Sequence, residues 1–296
     1  MSIHPYLLSP DEVQNLISSH PDGSLDLRSL VGPFLLPEGI TVPGDLILSG
    51  CDISRLPAIR VAGTCFLDHS NVASIGAGTV IGSDLIATDS RLNCLERIFI
   101  GGSLVASGLR FTRFGEGIVV QGAAVFTDCH LPDFPASMTF HGSLDCTCAQ
   151  FHSENPFPKG FRVPGDLILD ESNMRQLPEG LDCGGLHARY MVIRFSPGTR
   201  IRAAAFFDQS VVSGIPADIS FCGSVYFTDA RLPRLPTAFS CAGNLDLSGC
   251  SLPVLPEKLR IGGDIILFRS RIQAIPASAR ISGRVLSDNE ALAGHL

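Results

Sequence analysis

The residues best equipped for chemistry fall between positions 128 and 152. Asp128-Cys129-His130 and Cys146-Thr147-Cys148 are followed by His152-Ser153-Glu154-Asn155-Pro156, with His141 in between. Thiolates and imidazoles are zinc ligands, so Cys129, His130, Cys148 and His152 are the candidates for a metal site. Their spacing matches no closed zinc motif, and Cys129 and Cys146 fall in columns that the repeat below assigns to the core. The sequence therefore assigns no metal and no cofactor. A second set is acidic: Asp68, Asp89, Asp128, Asp170, Asp208, Asp229 and Asp288. Paired carboxylates can hydrolyse glycosidic bonds. No matching column of Lys, Arg or Tyr accompanies these, and aspartate is an ordinary turn residue. A carbohydrate-active parallel β-helix enzyme is thus the alternative to a non-enzymatic reading. No glycine cluster precedes a helix as a phosphate loop would; the glycines recur singly.

What positions all these residues is a repeat. Taking as zero the apolar residue two before a glycine, copies start at Val42, Val61, Ile81, Ile100, Val120, Phe140, Val163, Asp182, Ile201, Phe221, Cys241, Ile261 and Ile281. These thirteen copies are spaced by 19 or 20 residues with one gap of 23, and residues 21–41 form a degenerate first copy. A fixed short period with no linker predicts a single solenoid domain over 21–296. Position two is Gly in eleven of the thirteen copies, Ser83 and Ala203 being the exceptions, which marks a point of close approach between coils. Positions four and six are apolar and two apart, as on one face of a strand: Leu46/Leu48, Ala124/Phe126, Leu245/Leu247. Position nine is mostly Ser, Cys or Ala, and positions seven and eight carry turn residues. Position eleven is always apolar, and position fourteen often precedes proline, as in Leu56-Pro57 and Leu255-Pro256. One coil cannot bury enough to stand alone, so coils must stack and share a core.

Residues 1–20 differ. Ser9-Pro10-Asp11-Glu12 reads as a capping box with proline at the first helical position, and Val13, Leu16 and Ile17 follow at helical spacing. A short amphipathic helix is expected to cap the first coil. At the other end Ser287 and Glu290 put polar groups into inward columns, which would discourage stacking by a second molecule.

Composition narrows the function. Apolar residues make up 45% and charged residues 17%, which suits a buried chain and not a disordered one. No apolar run is long enough to span a bilayer. A net charge of −7 argues against a nucleic-acid backbone as partner. Ten scattered cysteines without a paired framework favour reduced thiols in the cytoplasm, and the first residues lack the pattern of a classical signal peptide. Of the 22 cations 20 are Arg, a bias without a physical account.

Written as L-x-L-x-x-(S/C/A)-x-(I/L)-x-x-L-P, positions four to fifteen resemble a leucine-rich repeat, with position nine in place of the family's Asn/Cys column. The Leu-Pro step is similar to that of the short repeats of bacterial leucine-rich proteins. Two departures stand out: the leucine before the strand is replaced by Pro, Ala or Gly, and an apolar-x-Gly turn precedes it. They predict a second short strand near position zero and a flatter, two-sided β-solenoid. The expected fold is all-β: a parallel, leucine-rich-repeat-like β-solenoid of about 13 coils with an N-terminal capping helix over residues 1–20. The resemblance implies a non-enzymatic scaffold that binds a protein through its strand face, and a bacterial effector delivered into a host cell fits it. That face carries position five: Ile47, Phe66, Ile86, Val105, Val125, Ile168, Phe206, Tyr226 and Ile266, with Asp145, His187, Asp246 and Leu286 completing the column. Ten of these thirteen are apolar on an outward face, which marks an interaction surface for a protein partner or for a second copy of the chain.

Overall fold

The structure, a computed structural model, describes residues 5–293. Residues 1–4, on which part of the signal-peptide reading rests, lie outside the described residues. Its contacts group into two compact units, Met1–Pro156 and Phe157–Leu296. The division falls inside the 23-residue gap of the repeat. Each unit is nearly all-β and is built from stacked parallel solenoid coils, about 13 turns counted over the two.

In the first unit each regular coil contributes a strand at positions −1 and zero, such as Thr41–Val42 and Arg60–Val61, and another at positions four and five, such as Leu46–Ile47 and Cys65–Phe66. Pairing is parallel and in register, Val42 with Val61 and Leu46 with Cys65. The second strand near position zero is therefore present as expected. A third short sheet runs through Arg55–Leu56, Ser74–Ile75, Cys94–Leu95 and Arg113–Phe114. The two-sided cross-section expected from the sequence is thus three-sided here. Position fourteen, which often precedes proline, also pairs along its backbone: Leu56 aligns with Ile75. The second unit repeats the first two sheets, from Arg162–Val163 to Arg280–Ile281 and from Leu167–Ile168 to Val285–Leu286.

The register corrects one position. The repeat period puts Asp182 at position zero, but Val163 pairs across to Cys183, and Cys183 to Ile201. Cys183 is fully buried, while Asp182 faces outward beside Arg162 and bonds Arg202. A thiol is far cheaper to bury than a carboxylate, so the chain shortens by one residue between Cys183 and Leu186 to place it.

Three backbone devices recur. Position two donates its N–H to position two of the preceding coil, as from Gly63 to Gly44 and from Gly142 to Gly122. Position eight bends through the left-handed region in coil after coil: Gly50, His69, Asp89, Gly108, Asp128 and, in the second unit, Glu171 and Gln209 have φ between 52° and 75°. Position nine explains its small polar character by a hydrogen bond. Cys51, Cys129 and Ser210 each donate to the carbonyl of position six one coil back, to Leu27, Ala106 and Ala188.

The core is the stack of positions zero, four, six, eleven and fourteen. In the first unit it centres on phenylalanines: Phe111 lies 4.9 Å from Phe114 and 5.6 Å from Phe126, ring centre to ring centre. In the second, Phe207 stacks on Phe227 at 5.1 Å. At the N-terminal end helix α1, Pro10–Ser18, has the expected capping box: Ser9 Oγ accepts from Glu12 N–H at 3.2 Å and Glu12 Oε2 accepts from Ser9 N–H at 2.7 Å. Val13 and Ile17 are buried, and the helix packs on the strand Leu25–Asp26 of the first coil. At the other end Glu290 does not occupy an inward column. It is exposed at the start of a one-turn helix α2, Glu290–Ala293, because the chain leaves the coil path there.

Burial raises the thiols. Cys51 and Cys129 are pushed up to about 11, and Cys183 and Cys241 to about 12. An unfolded cysteine titrates near 8.5. The folded state therefore holds its thiol protons more tightly, and this contribution to stability is complete below about pH 8.5. It is lost as the pH rises toward 11 and 12, where the unfolded chain has already released its protons. Urea midpoints at pH 7, 9 and 10 are expected to fall over the last two points, and Cys129→Ala to fall less steeply than the parent.

Candidate functional site

Position five forms one continuous row within each unit. In the first, Ile47, Phe66, Ile86, Val105 and Val125 are register partners in succession, and Asp26 and Asp145 terminate the row. Parallel strands set these side chains about 4.8 Å apart. Each is flanked along its own strand by buried residues, Phe66 by Cys65 and Leu67, so the row faces outward as the spacing predicted. All five are half-buried, because each side chain leans on the next. Asp26 is bonded by Arg28 at 2.6 Å, and Asp145 accepts from Thr147 N–H at 2.9 Å. The apolar row therefore ends at carboxylates that are already engaged.

In the second unit the row runs Ile168, His187, Phe206, Tyr226, Asp246, Ile266, Leu286. Phe206 and Tyr226 are stacked nearly parallel, 5° apart with centres at 4.9 Å, and His187 sits 4.7 Å from Phe206 on the other side. The Arg189 guanidinium lies 6.0 Å from the Phe206 ring and is fixed by Asp170, which accepts from its Nε at 2.9 Å. Here the row presents a rigid aromatic step, a type of surface that anchors protein interfaces. Asp246 divides it from Ile266, and accepts from Ser248 N–H at 2.8 Å.

Other candidates are placed differently. Cys129 is buried with its thiol donating 2.7 Å to Ala106, His130 lies in a strand paired with Gln150–Phe151, Cys148 sits at a left-handed corner, and His152 is exposed. Among the described residues no three His, Cys, Asp or Glu side chains come together as a metal-holding group. Of the acidic residues, Asp68 accepts from Thr88 N–H, Asp170 from Arg189 N–H and Asp288 from Arg269 N–H, Asp89, Asp128 and Asp229 occupy left-handed corners, and Asp208 directly precedes the corner at Gln209.

Two features were missed in the sequence. Position three forms a polar ladder, in which a side-chain oxygen caps the position-three N–H of the next coil: Asp45 to Thr64 at 2.7 Å, Asp84 to Ser103 at 2.6 Å, Asn244 to Asp264 at 2.8 Å. A mixture of Asp, Ser, Asn and Thr looks like loop composition, so only its strict spacing could have revealed it. Val192 and Val211 are exposed partners at position ten, with Tyr190 close by in sequence. Their signal was an apolar residue directly before the invariant inward position eleven. Compared with known proteins, the chain matches no family model, no curated protein and no solved structure. Among the described residues no helix is long and apolar enough to cross a membrane.

Proposed function

We propose that this chain is a non-enzymatic, leucine-rich-repeat-like scaffold that binds a protein through the outward strand row. The observation that carries the reading is the aromatic step of Phe206 and Tyr226 continuing an apolar row in register. The row in the first unit supplies the same chemistry through Phe66 and its aliphatic neighbours. Asp68, Asp170 and Asp288 use their carboxylates to cap backbone N–H groups, which supports a binding role over a catalytic one. Buried, protonated thiols support a reducing compartment such as the cytoplasm, and the repeat type supports a bacterial source. A second copy of the chain, meeting the row with its own, is one form this binding takes.

The test is sedimentation at several concentrations, together with capture of partners, for the parent and for Phe66→Asp, Phe206→Asp and Tyr226→Asp. Each substitution is at a half-buried outward site, so the fold is expected to persist with a loss of about 1 kcal/mol or less. Complex formation is expected to weaken by tenfold or more, as for loss of an aromatic anchor. Unchanged mass and unchanged partners in all three variants would remove the proposal.

A further inference from the structure

The opposite sense of charge appears on another face of the second unit. At position −1, register partners run Arg162, Asp182, Arg200, Ser220, and further along Ser240, Arg260, Arg280. In the first series a carboxylate is interposed: Asp182 lies between two arginines, with Arg162 Nε at 3.6 Å and Arg202 bonded to it. In the second series nothing is interposed. Arg260 and Arg280 are direct cross-strand partners, about 4.8 Å apart along the ladder, and both are exposed. Like charges directly opposite one another destabilise a sheet.

The surroundings do not compensate this pair. Lys258 lies two residues before Arg260 on the same strand and the same face, adding a third cation. The nearest carboxylate in sequence, Glu257, accepts from Ser278 Oγ at 3.1 Å, and among the described residues it forms no ion pair with Lys258, Arg260 or Arg280. Arg284, by contrast, has its own partner in Asp264 at 3.0 Å. The two arginines also share two open concavities of about 500 and 520 Å³. Ser240 lines both, Ser282 lines the first, and Ser278 and Lys258 line the second. In a chain of net charge −7, a concave site with three uncompensated cations and hydroxyl donors is built for an anion.

We propose that Arg260 and Arg280, with Lys258 and Ser240, bind the phosphate group of a phosphate monoester. Guanidinium forks meet phosphate oxygens in pairs, a dianion between the two arginines removes their mutual repulsion, and the Ser240 and Ser282 hydroxyls and Lys258 satisfy the remaining oxygens. The open form of the concavities leaves the ester side of the ligand outside, so the group is carried either by a small metabolite or by a phosphorylated side chain. This site is independent of the strand row, which lies at position five.

The experiment follows the thermal midpoint and calorimetric binding of the full chain at low ionic strength. The probes are O-phospho-L-serine, a phosphoserine peptide with uncharged flanks, and sodium chloride at matched ionic strength. A phosphate monoester is expected to raise the midpoint where chloride does not, and Arg260→Ala and Arg280→Ala to weaken its binding tenfold or more. Arg162→Ala, beside Asp182, is expected to bind as the parent does. Tighter binding of the peptide identifies a phosphorylated protein as the source, and tighter binding of the free amino acid a small metabolite. Without ligand, Arg280→Ser is expected to melt no lower than the parent, since it removes repulsion and no contact of the core. Equal effects of chloride and both phosphate monoesters, or binding unchanged in both arginine variants, would overturn the assignment.

Discussion

Gly142→Ala is expected to destabilise the first unit by about 3 kcal/mol, although it adds one methyl group. The reason is contact and not torsion. A Cβ at Gly142 would lie 2.6 Å from the carbonyl carbon and oxygen of Gly122 and 2.8 Å from the nitrogen of Ala123. All three are backbone atoms of the coil below, and none can swing away as the end of a flexible side chain could. Relief requires the two coils to separate, which lengthens the 3.1 Å hydrogen bond from Gly142 N–H to Gly122 and disturbs the ladder on either side of it. The comparison that isolates this cause is Gly39→Ala. Gly39 has φ of +73° but open space where its Cβ would go, so alanine there meets only the torsional cost of the left-handed region, about 1 to 2 kcal/mol. Urea unfolding of both variants measures the difference. If Gly142→Ala costs no more than Gly39→Ala, the position-two glycines are not close-approach sites.

The same comparison shows what the sequence could convey. A column that is Gly in nearly every copy announced a steric limit, because glycine's two virtues, torsional freedom and absence of bulk, both leave the same mark. Which virtue was in use at position two was legible only because the next residues began a strand. The alternation of positions four, five and six was equally plain, and it placed Phe66, Phe206 and Tyr226 outward correctly. The capping box of Ser9 and Glu12 is local chemistry within four residues, so no tertiary information was needed to read it.

Features that no single coil encodes have their information spread between coils. The third sheet of the first unit is made by pairs such as Arg55–Leu56 and Ser74–Ile75, whose composition does not distinguish a strand from a bend before proline. Their pairing exists because neighbouring coils hold them in register, and no single coil encodes it. The exchange of Asp182 for Cys183 in the inward column has a similar origin. Aligning on Gly184 kept a tidy period, but the cost of burying a carboxylate outweighs the regularity of one turn. The arginine pair was invisible for a further reason. Arg260 and Arg280 stand 20 residues apart on adjacent coils, whereas Arg162 and Arg200 are held apart by the coil that carries Asp182.

Phe207→Ala is expected to cost about 3 to 5 kcal/mol, and Phe206→Ala, one residue away, about 1 kcal/mol or less. Both are phenylalanines on one coil, so the contrast rests on the direction in which each ring points. Phe207 is fully buried, stacked on Phe227 at 5.1 Å and approached edge-on by Phe195 at 5.3 Å. Its removal would leave a cavity walled by two aromatic rings of neighbouring coils, which a stacked solenoid cannot close without shifting the coils themselves. Phe206 loses a stack with Tyr226 and the neighbourhood of His187 and Arg189, but water fills the space at once. Chemical unfolding of the two variants gives the costs, and sedimentation or partner capture gives the converse ranking. Phe206→Ala is expected to weaken complex formation, while Phe207→Ala, wherever it remains folded, is expected to bind as the parent does. Equal costs for the two rings would mean that the strand does not alternate as described, and the binding row would lose its geometric basis together with the core.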